Sequence, residues 1–409
     1  MLRRIRNKLL SHRGSGAVAF GQKQSNGFRP DRPVSIVMAN RFPNAISQVL
    51  TYYKSGFLDA KSVPIVFQYF PSSYDNIVQA CVAYGIDWFA YGTNADRPKL
   101  DSDLILYPFN NPANASCVAE CSGRHVLLMH GESNKVALIK PLARLYDHVL
   151  VAGDLACERL VEFGIMTPDD IRNGRAIKIG TAAIGELTFF RAAGDGEVGA
   201  LAYCPTWEGG NAEEDLCSLD WGLPYILHAA KQNSLQHVVL RLHPNTGERL
   251  HPLRDAAEQF AQKVLDAGLQ LSYAAPVPVT PLEVRLATRF PEIQWLSEEE
   301  AIPVALAFTD ISALEAMMDV ECIPVRVFAE RGKTIAAPTS YQDLSVSRFC
   351  WKGVRIEDID LRVSKIDSVT RAYYEKLVGY QSDELGKLPQ TERLIWLLNY
   401  VKNSPLWTR

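Results

Sequence analysis

The sequence has no long hydrophobic run and almost no net charge. No stretch reaches the roughly 18 consecutive apolar residues that a membrane-spanning helix requires. The formal net charge is −3 over 409 residues, whereas nucleic-acid-binding domains are normally strongly basic. We therefore exclude nucleic acid as a partner and expect a globular chain of two or more domains.

Cysteines are too scattered for a disulfide framework or a structural zinc site. The chain has eight, and most lie within apolar runs, where cysteine behaves as a small hydrophobic residue. Cys117 and Cys121 have a C-x-x-x-C spacing, but no second pair completes a zinc set. The sequence thus predicts a reducing, cytoplasmic compartment.

Acidic residues are missing from the first 30 residues, which carry several arginines and lysines. Leu2, Ile5 and Leu9 share one face of a short helix, and the basic residues cover most of the rest. Such a helix can bind an anionic membrane surface, here through residues 1–13, on the inner face of the cell membrane. A disordered basic leader is the alternative interpretation. A secretory signal is excluded, because no apolar core or cleavage site follows.

Beyond this leader, short apolar runs alternate with helical periods. Strands that alternate with helices imply βαβ units and parallel sheets covered on both faces. A Gly- and acid-rich stretch at 191–199 predicts a linker between an N-terminal acceptor domain, 31–190, and a C-terminal nucleotide-donor domain with terminal helices, 191–409. The sequence predicts an α/β fold of the GT-B type, with two Rossmann-like domains facing across a cleft. The predicted strands span 35–39, 65–67, 88–91, 104–107, 125–129, 148–152, 200–203, 238–242, 269–273, 304–308 and 323–328; the predicted helices include 137–146.

Four polar motifs follow predicted strands. In open α/β sheets, ligands bind outside the carboxyl ends of the strands, so these motifs predict a shared site. The motifs are His130-Gly131 with Lys135, Pro205-Thr206-Trp207, Arg241-Leu242-His243-Pro244 and Thr309-Asp310-Ile311-Ser312.

The last motif predicts a phosphate site at a helix start. Asp310 or Ser312 can cap the helix that follows Thr309, and its free backbone N–H groups can bind an anion. An ordinary N-cap is the alternative.

Arg241 and His243 share one face of their predicted strand. Together they can neutralise a diphosphate, with arginine binding it in a bidentate manner. In the alternative interpretation, Arg241 pairs with a carboxylate and His243 packs in the core.

His130 is the predicted general base, since an imidazole titrates near neutral pH. Lys135, one helical turn further on, can hold a phosphate, and Glu132 can orient the imidazole. In the second domain, Thr206 can donate a hydrogen bond to phosphate and Trp207 can form a wall of the site.

Taken in order, the stretches HGESNK, YCPTWEG, RLHP and TDISA resemble the motifs of the CDP-glycerol glycerophosphotransferase family, which includes teichoic acid polymerases and capsule phosphotransferases. The likeness spans roughly residues 125–330. It implies a GT-B fold and transfer of a polyol phosphate from a CDP-alcohol donor to a hydroxyl of a polysaccharide or lipid-linked acceptor at the cytoplasmic membrane face. No cofactor is required by the resemblance, although Mg²⁺ bridging the donor phosphates stays open.

The resemblance also implies roles for individual residues. His130 would act on the acceptor hydroxyl, and Arg241 with His243 would hold the donor pyrophosphate. Thr309, Asp310 and Ser312 would surround a donor phosphate.

Three residues depart from the family pattern. Glu208 stands where the family has arginine, Ile311 replaces an aromatic residue, and Ala313 replaces a serine. Two alternatives therefore stay open: a glycosyltransferase that uses a UDP-sugar, and a homologue without catalytic activity.

Overall fold

The computed structural model describes residues 24–129, 131–298, 301–345, 348–363 and 368–404, which form two β-sheets flanked by helices. The strands of the first sheet are β1 (Gln24–Asn26), β2 (Val34–Met38), β3 (Ile65–Gln68), β4 (Trp88–Tyr91), β5 (Leu104–Tyr107), β6 (Arg124–Leu127), β7 (His148–Val151) and β8 (Ala176–Lys178). The second sheet contains β9 (Phe190–Ala192), β10 (Ala200–Cys204), β11 (His237–Leu240), β12 (Gln270–Tyr273), β13 (Gln294–Trp295), β14 (Ile302–Asp310), β15 (Val325–Ala329) and β16 (Phe349–Trp351). The helices are α1 (Ala45–Lys54), α2 (Tyr74–Tyr84), α3 (Asn114–Glu120), α4 (Asp154–Glu162), α5 (Pro168–Arg172), α6 (Leu223–Gln232), α7 (Pro252–Asp266), α8 (Pro281–Arg289), α9 (Ala313–Val320), α10 (Thr339–Ser345), α11 (Ser368–Leu377), α12 (Asp383–Lys387) and α13 (Gln390–Lys402).

The first sheet has the strand order β1-β4-β3-β2-β5-β6-β7-β8. All neighbours are parallel except β1, which runs antiparallel to β4 at the edge. Every residue of β2 and β5 is buried, as expected for strands covered by helices on both faces.

The second sheet is wholly parallel in the order β13-β12-β11-β10-β14-β15-β16, and β9 pairs with the start of β14. From β10 the chain proceeds outward through β11 to β13, and then returns to β14 on the other side. The boundary between β10 and β14 is therefore the point where the strand order reverses, and such a point opens a crevice for ligands.

The chain returns to the first domain after the second sheet. Side chains of α11 to α13, among them Tyr373, Leu377 and Leu397, belong to the same apolar core as α1 and strands β2 to β5. The approach is close: a Cβ atom on Gly153 would lie 2.6 Å from the carbonyl oxygen of Leu377, so only glycine fits at the start of α4. The last three described helices thus belong to the core of the first domain.

The predicted α/β fold with two Rossmann-like parallel sheets is confirmed, and one local prediction is wrong. Residues 137–146 are not one helix but two 3₁₀ turns, Val136–Ile139 and Pro141–Leu145. Pro141 keeps the preceding Lys140 extended, with ψ 130°, which interrupts an α-helix. Of the predicted linker at 191–199, the first two residues belong to β9, which pairs with β14, and residues 193–199 contain no helix or strand.

Within the described part of the chain, no helix is both long enough and apolar enough to cross a bilayer. The basic leader predicted to bind a membrane, residues 1–13, lies outside the described residues.

Candidate functional site

Two of the predicted motifs lie side by side, at the ends of two neighbouring strands. Cys204 of β10 pairs with Thr309 of β14, so the loop that begins at Pro205 and the segment 309–312 emerge together where the strand order reverses. The backbone N–H of Arg241 donates to the carbonyl of Tyr203 (2.9 Å), which places Arg241 next to the same crevice. Three motifs of the second domain therefore meet at one edge of its sheet.

The start of α9 presents three buried polar atoms without partners. Thr309 Oγ1, Asp310 Oδ1 and Ser312 Oγ form no hydrogen bond with any described residue, and the three residues are at most 8% exposed. Ser312 occupies the N-cap position, but its side chain does not cap the helix. Because buried hydroxyls are normally paired, and the first N–H groups of a helix attract anions, the hydroxyls of Thr309 and Ser312 at this helix start are suited to donate to an anionic ligand.

Asp310 does not cap α9; it holds the neighbouring loop instead. Its Oδ2 accepts hydrogen bonds from the backbone N–H groups of Thr206 (2.6 Å) and Ser218 (3.2 Å). Burial raises the pKa of this carboxyl to about 7. The predicted phosphate contact of Asp310 stays a prediction, and the geometry adds a second role, which is to fix the backbone at Thr206.

Lys135 reaches from the first domain into this crevice. Its Nζ donates to Thr206 Oγ1 at 2.9 Å, and among the described residues it has no ion-pair partner. Burial lowers the pKa of Lys135, and the charge of Asp310 partly opposes that shift. A partly buried ammonium without a paired carboxylate leaves room for an anion beside it.

Arg241 has no ion pair with any described carboxylate; its guanidinium lies 5.4 Å from the ring centre of Phe189. The alternative in which it pairs with a carboxylate therefore finds no partner in the part of the chain that the structure describes. Together, Arg241 and Lys135 supply the positive charge around His243, since both contribute to lowering the pKa of this histidine.

His243 is a neutral imidazole in this arrangement. Burial, followed by the charges of Lys135 and Arg241, lowers its pKa to about 3. Its Nδ1 accepts a hydrogen bond from the backbone N–H of Asn245 (3.1 Å), so the neutral ring keeps its proton on Nε2. The ring stacks on Trp207, with centroids 5.7 Å apart and planes inclined by 15°. His243 can therefore donate one hydrogen bond to a ligand.

Glu208, the charge-reversed departure from the family motif, does not face the crevice. It is fully buried, and its carboxylate accepts three backbone N–H groups, from Gly247 (3.1 Å), Arg249 (2.7 Å) and Leu250 (2.8 Å). Glu208 therefore orders the loop after Arg241–Pro244. The sequence gives no signal for this role, because the three donors lie about forty residues further on.

The loop that contains His130 packs against the start of α9. His130 itself lies outside the described residues, so its predicted role as base stays a prediction. On its two sides, Met129 has a left-handed backbone, with φ 66°, and Gly131 has φ 122°; a non-glycine residue such as Met129 rarely adopts this conformation, and such strain concentrates at functional sites. A Cβ atom on Gly131 would lie 3.0 Å from the Cβ of Ala313, which explains why a small residue stands at position 313.

Glu132 forms a buried ion pair with Arg159 of α4, at 2.5 Å. Arg159 is 2% exposed and also donates to Asn134 Oδ1 (2.9 Å) and to the carbonyl of Ala336 in the second domain (2.8 Å). Glu132 is thus engaged in supporting its own loop. Sequence reasoning missed Arg159, although an arginine on the apolar face of α4, four residues after Leu155, was a visible signal.

No group of three or more His, Cys, Asp or Glu side chains within the described residues is arranged to hold a metal ion.

The chain was compared with known proteins at the level of families, sequences and structures. No protein-family profile and no curated protein sequence matches it. Similar solved structures include MurG of Acinetobacter baumannii (11% identity, TM-score 0.41, 90% of this chain and 99% of that chain). They also include the wall teichoic acid polymerase TagF (10% identity, TM-score 0.41, 91% of this chain and 88% of that chain). A third is HepE of Anabaena in complex with UDP (10% identity, TM-score 0.47, 90% of this chain and 99% of that chain). Sequence identities and TM-scores this low do not identify a substrate for this chain.

Proposed function

We propose that this chain is a transferase that moves a polyol-phosphate or sugar-phosphate group from a CDP-activated donor to a hydroxyl of a polysaccharide or lipid-linked acceptor. The reaction would belong to cell-surface polysaccharide assembly, on the cytoplasmic side of the membrane. That the donor carries cytidine is inferred from the motif resemblance. That the donor contains a diphosphate is supported by the geometry of the crevice.

The observation that carries the proposal is the unpaired positive charge of Lys135 and Arg241 beside the start of α9. Neither cation has an ion-pair partner among the described residues, and both act on the pKa of His243. The buried Thr309 and Ser312 hydroxyls also have no hydrogen-bond partner in the part of the chain that the structure describes. A donor diphosphate would pair with the two cations and would also accept hydrogen bonds from the two hydroxyls. Cations, hydroxyls and helix N–H groups are the usual partners of phosphate.

In the proposed mechanism, the acceptor hydroxyl oxygen attacks the β-phosphorus of the donor. A new phosphorus–oxygen bond forms, and the bond from the β-phosphorus to the bridging oxygen breaks, so that CMP leaves with both electrons. The acceptor proton passes to the base, the role assigned to His130. Arg241 and Lys135 bind the phosphate oxygens, and the Nε2 proton of His243 forms a hydrogen bond with the departing CMP. Catalysis of this kind relies on positioning and charge neutralisation.

The second candidate is a UDP-sugar-dependent glycosyltransferase, in which the same cations would stabilise a departing nucleoside diphosphate. The position of Glu208 leaves this candidate open, because its carboxylate is bound by backbone N–H groups and therefore discriminates against neither donor. Product analysis separates the two reactions, because the first releases CMP and the second releases a nucleoside diphosphate.

The test is calorimetric titration of the purified protein with CDP and UDP, together with the variants Lys135→Met and Lys140→Met. Lys140 is a matched control, because it also crosses to the second domain, by an ion pair with Glu214 (3.2 Å), but it is 49% exposed. Loss of one charge-assisted phosphate contact weakens binding by roughly 10- to 150-fold. We expect this loss in Lys135→Met and a change of less than about twofold in Lys140→Met.

Equal affinity of the two lysine variants for a bound nucleotide would refute the placement of the diphosphate. Absence of binding to either nucleotide in the wild-type protein, at millimolar concentration, would refute the transferase proposal itself. Arg241→Gln serves as a second variant if Lys135→Met lowers the unfolding temperature.

A further inference from the structure

Two thiols touch in the first domain, far from the candidate site. Cys117 on the last turn of α3 and Cys121 at its C-cap have their Sγ atoms 3.8 Å apart. All eight cysteines, these two among them, are present as free thiols. This pair lies between the end of α3 and the start of β6, at the amino edge of the first sheet, whereas the site lies at carboxyl ends.

The backbone geometry of this pair is compatible with a disulfide bond. Residues four apart in a helix have Cα atoms roughly 6.2 Å apart, from the rise and radius of the helix, and disulfides span Cα separations of about 4.4–6.8 Å. The helical turn is intact at this point, since the N–H of Cys121 donates to the carbonyl of Cys117 (3.0 Å). Cys121 itself has an extended backbone, with φ −106° and ψ 139°, so the helix ends here. A disulfide requires Cβ atoms about 3.5–4.5 Å apart, and a movement of the chain after α3 would bring them to that distance.

The surroundings differ between the two sulfurs. The Cys117 thiol donates to the Cys121 sulfur, and the N–H of Leu100 and the Arg97 guanidinium add further positive potential there, so these contacts lower the pKa of Cys121. Arg97 is held in place by Glu120 (2.6 Å), whose charge opposes part of this effect. Burial and the hydrogen bond to Cys121 raise the pKa of Cys117. Cys121 is 7% exposed and Cys117 is fully buried.

We propose that Cys117 and Cys121 form a redox-active dithiol, in which Cys121 reacts first with a hydroperoxide and Cys117 then closes the disulfide. In the first step the Cys121 thiolate attacks one peroxide oxygen, the O–O bond breaks, and protonation yields a sulfenic acid and one water or alcohol. In the second step the Cys117 sulfur attacks the Cys121 sulfur and displaces hydroxide, which takes up the Cys117 proton and leaves as water. Two electrons pass from the two thiols to the peroxide.

The order of attack follows from access and from charge. A thiolate, not a thiol, is the nucleophile, and the contacts that favour a thiolate converge on Cys121. Only Cys121 has exposed surface for a small peroxide to reach, while Cys117 is positioned to resolve the product because it already touches that sulfur.

In the test, the full-length protein is treated with hydrogen peroxide, alkylated and digested with trypsin, and the masses of the peptides are measured by mass spectrometry. Trypsin cleaves after Lys99 and Arg124 and releases both cysteines in one peptide, residues 100–124. We expect this peptide to escape alkylation and to lose two hydrogens, and reduction with a thiol to reverse the change. Cys322, the exposed cysteine, is the internal control for oxidation of a thiol without a neighbouring partner.

The variants distinguish the two roles. In Cys117→Ser, a dimedone adduct is expected on Cys121, because its sulfenic acid has no resolving thiol; in Cys121→Ser, position 117 is expected to stay reduced. A wild-type peptide that stays fully reduced at a peroxide concentration that oxidises Cys322 would overturn the proposal, as would a dimedone adduct on Cys117 in place of Cys121. The wild-type measurement needs no variant and holds even if a serine substitution impairs folding.

Discussion

Three backbone N–H groups converge on the buried carboxylate of Glu208, and this arrangement predicts a local effect of its substitution. In Glu208→Gln, one amide oxygen can still accept from Arg249 and Leu250, as Oε1 does now at 2.7 and 2.8 Å. The amide nitrogen must then face the N–H of Gly247, whose present bond to Oε2 is 3.1 Å long. The variant therefore loses one hydrogen bond to a charged group and leaves a buried donor unpaired.

A hydrogen bond to a charged group contributes about 1.5–3 kcal/mol, which corresponds to a roughly 10- to 150-fold increase in local opening. Hydrogen–deuterium exchange should show this increase at Gly247 and Arg249, with little change in β10 or β14. Local exchange is the appropriate measurement, because a chain of two domains need not unfold in a single step.

Glu213→Gln is the matched control, since it is the same substitution at an exposed position of the same loop. Exchange at Gly247 that changes by less than about twofold in Glu208→Gln would refute the proposed role of the carboxylate. Glu208→Arg, which introduces the residue type expected from the family motif, should be more damaging, because the arginine would lie against the guanidinium of Arg249, which now contacts the backbone of Gly209 (3.0 Å).

Two further predictions concern protonation. Because burial raises the pKa of Asp310 from 3.8 to about 7, the folded protein binds more protons than the unfolded chain between these values, and the stability contribution of Asp310 falls as pH rises through that window. Asp310→Asn should therefore flatten the decline of the unfolding temperature from pH 5 to pH 8. The buried Glu315, whose pKa burial also raises to about 7, contributes to the slope that remains, and an unchanged profile in Asp310→Asn would contradict this prediction. His243, with a pKa lowered to about 3, should show no titration by NMR between about pH 4.5 and 8 without ligand, whereas a bound diphosphate should raise its pKa. His243→Gln assigns the signal, and titration near pH 6.5 in the free protein would refute the buried neutral state.

The sequence predicted the elements of the site better than their contacts. The run from Val304 to Phe308 followed by Thr309–Ser312 identified both a strand and the polar segment at its end, because an apolar run that changes to polar residues is a local signal. The contact of Lys135 with Thr206 joins residues 71 apart, and that of Asp310 with Thr206 joins residues 104 apart. No periodicity encodes such pairs, since the first depends on how the two sheets are placed and the second on which strands of one sheet are neighbours.

The same limit explains why Glu208 and Arg159 were not predicted. Glu208 departs from the family motif, and its charge is satisfied by backbone groups that only the folded loop brings together. Arg159 supports the loop of Glu132 from within α4, and its partners lie in two different domains.

The position of Lys135 has a consequence for how a donor would bind. The helix start and Arg241 belong to the second domain, while Lys135 belongs to the first and reaches the crevice through Thr206. Gly131 and Ala313 meet at the same boundary. A diphosphate that contacts both groups would therefore bind more tightly to the arrangement in which the two domains meet, and its apparent affinity would scale with the fraction of molecules in that arrangement. On the proposed function, loss of Lys135 would thus lower donor affinity in two ways: it removes a phosphate contact, and it removes a link that favours the arrangement in which the two domains meet. A loss of affinity greater than the loss expected for one phosphate contact would therefore indicate that the meeting of the domains is coupled to donor binding.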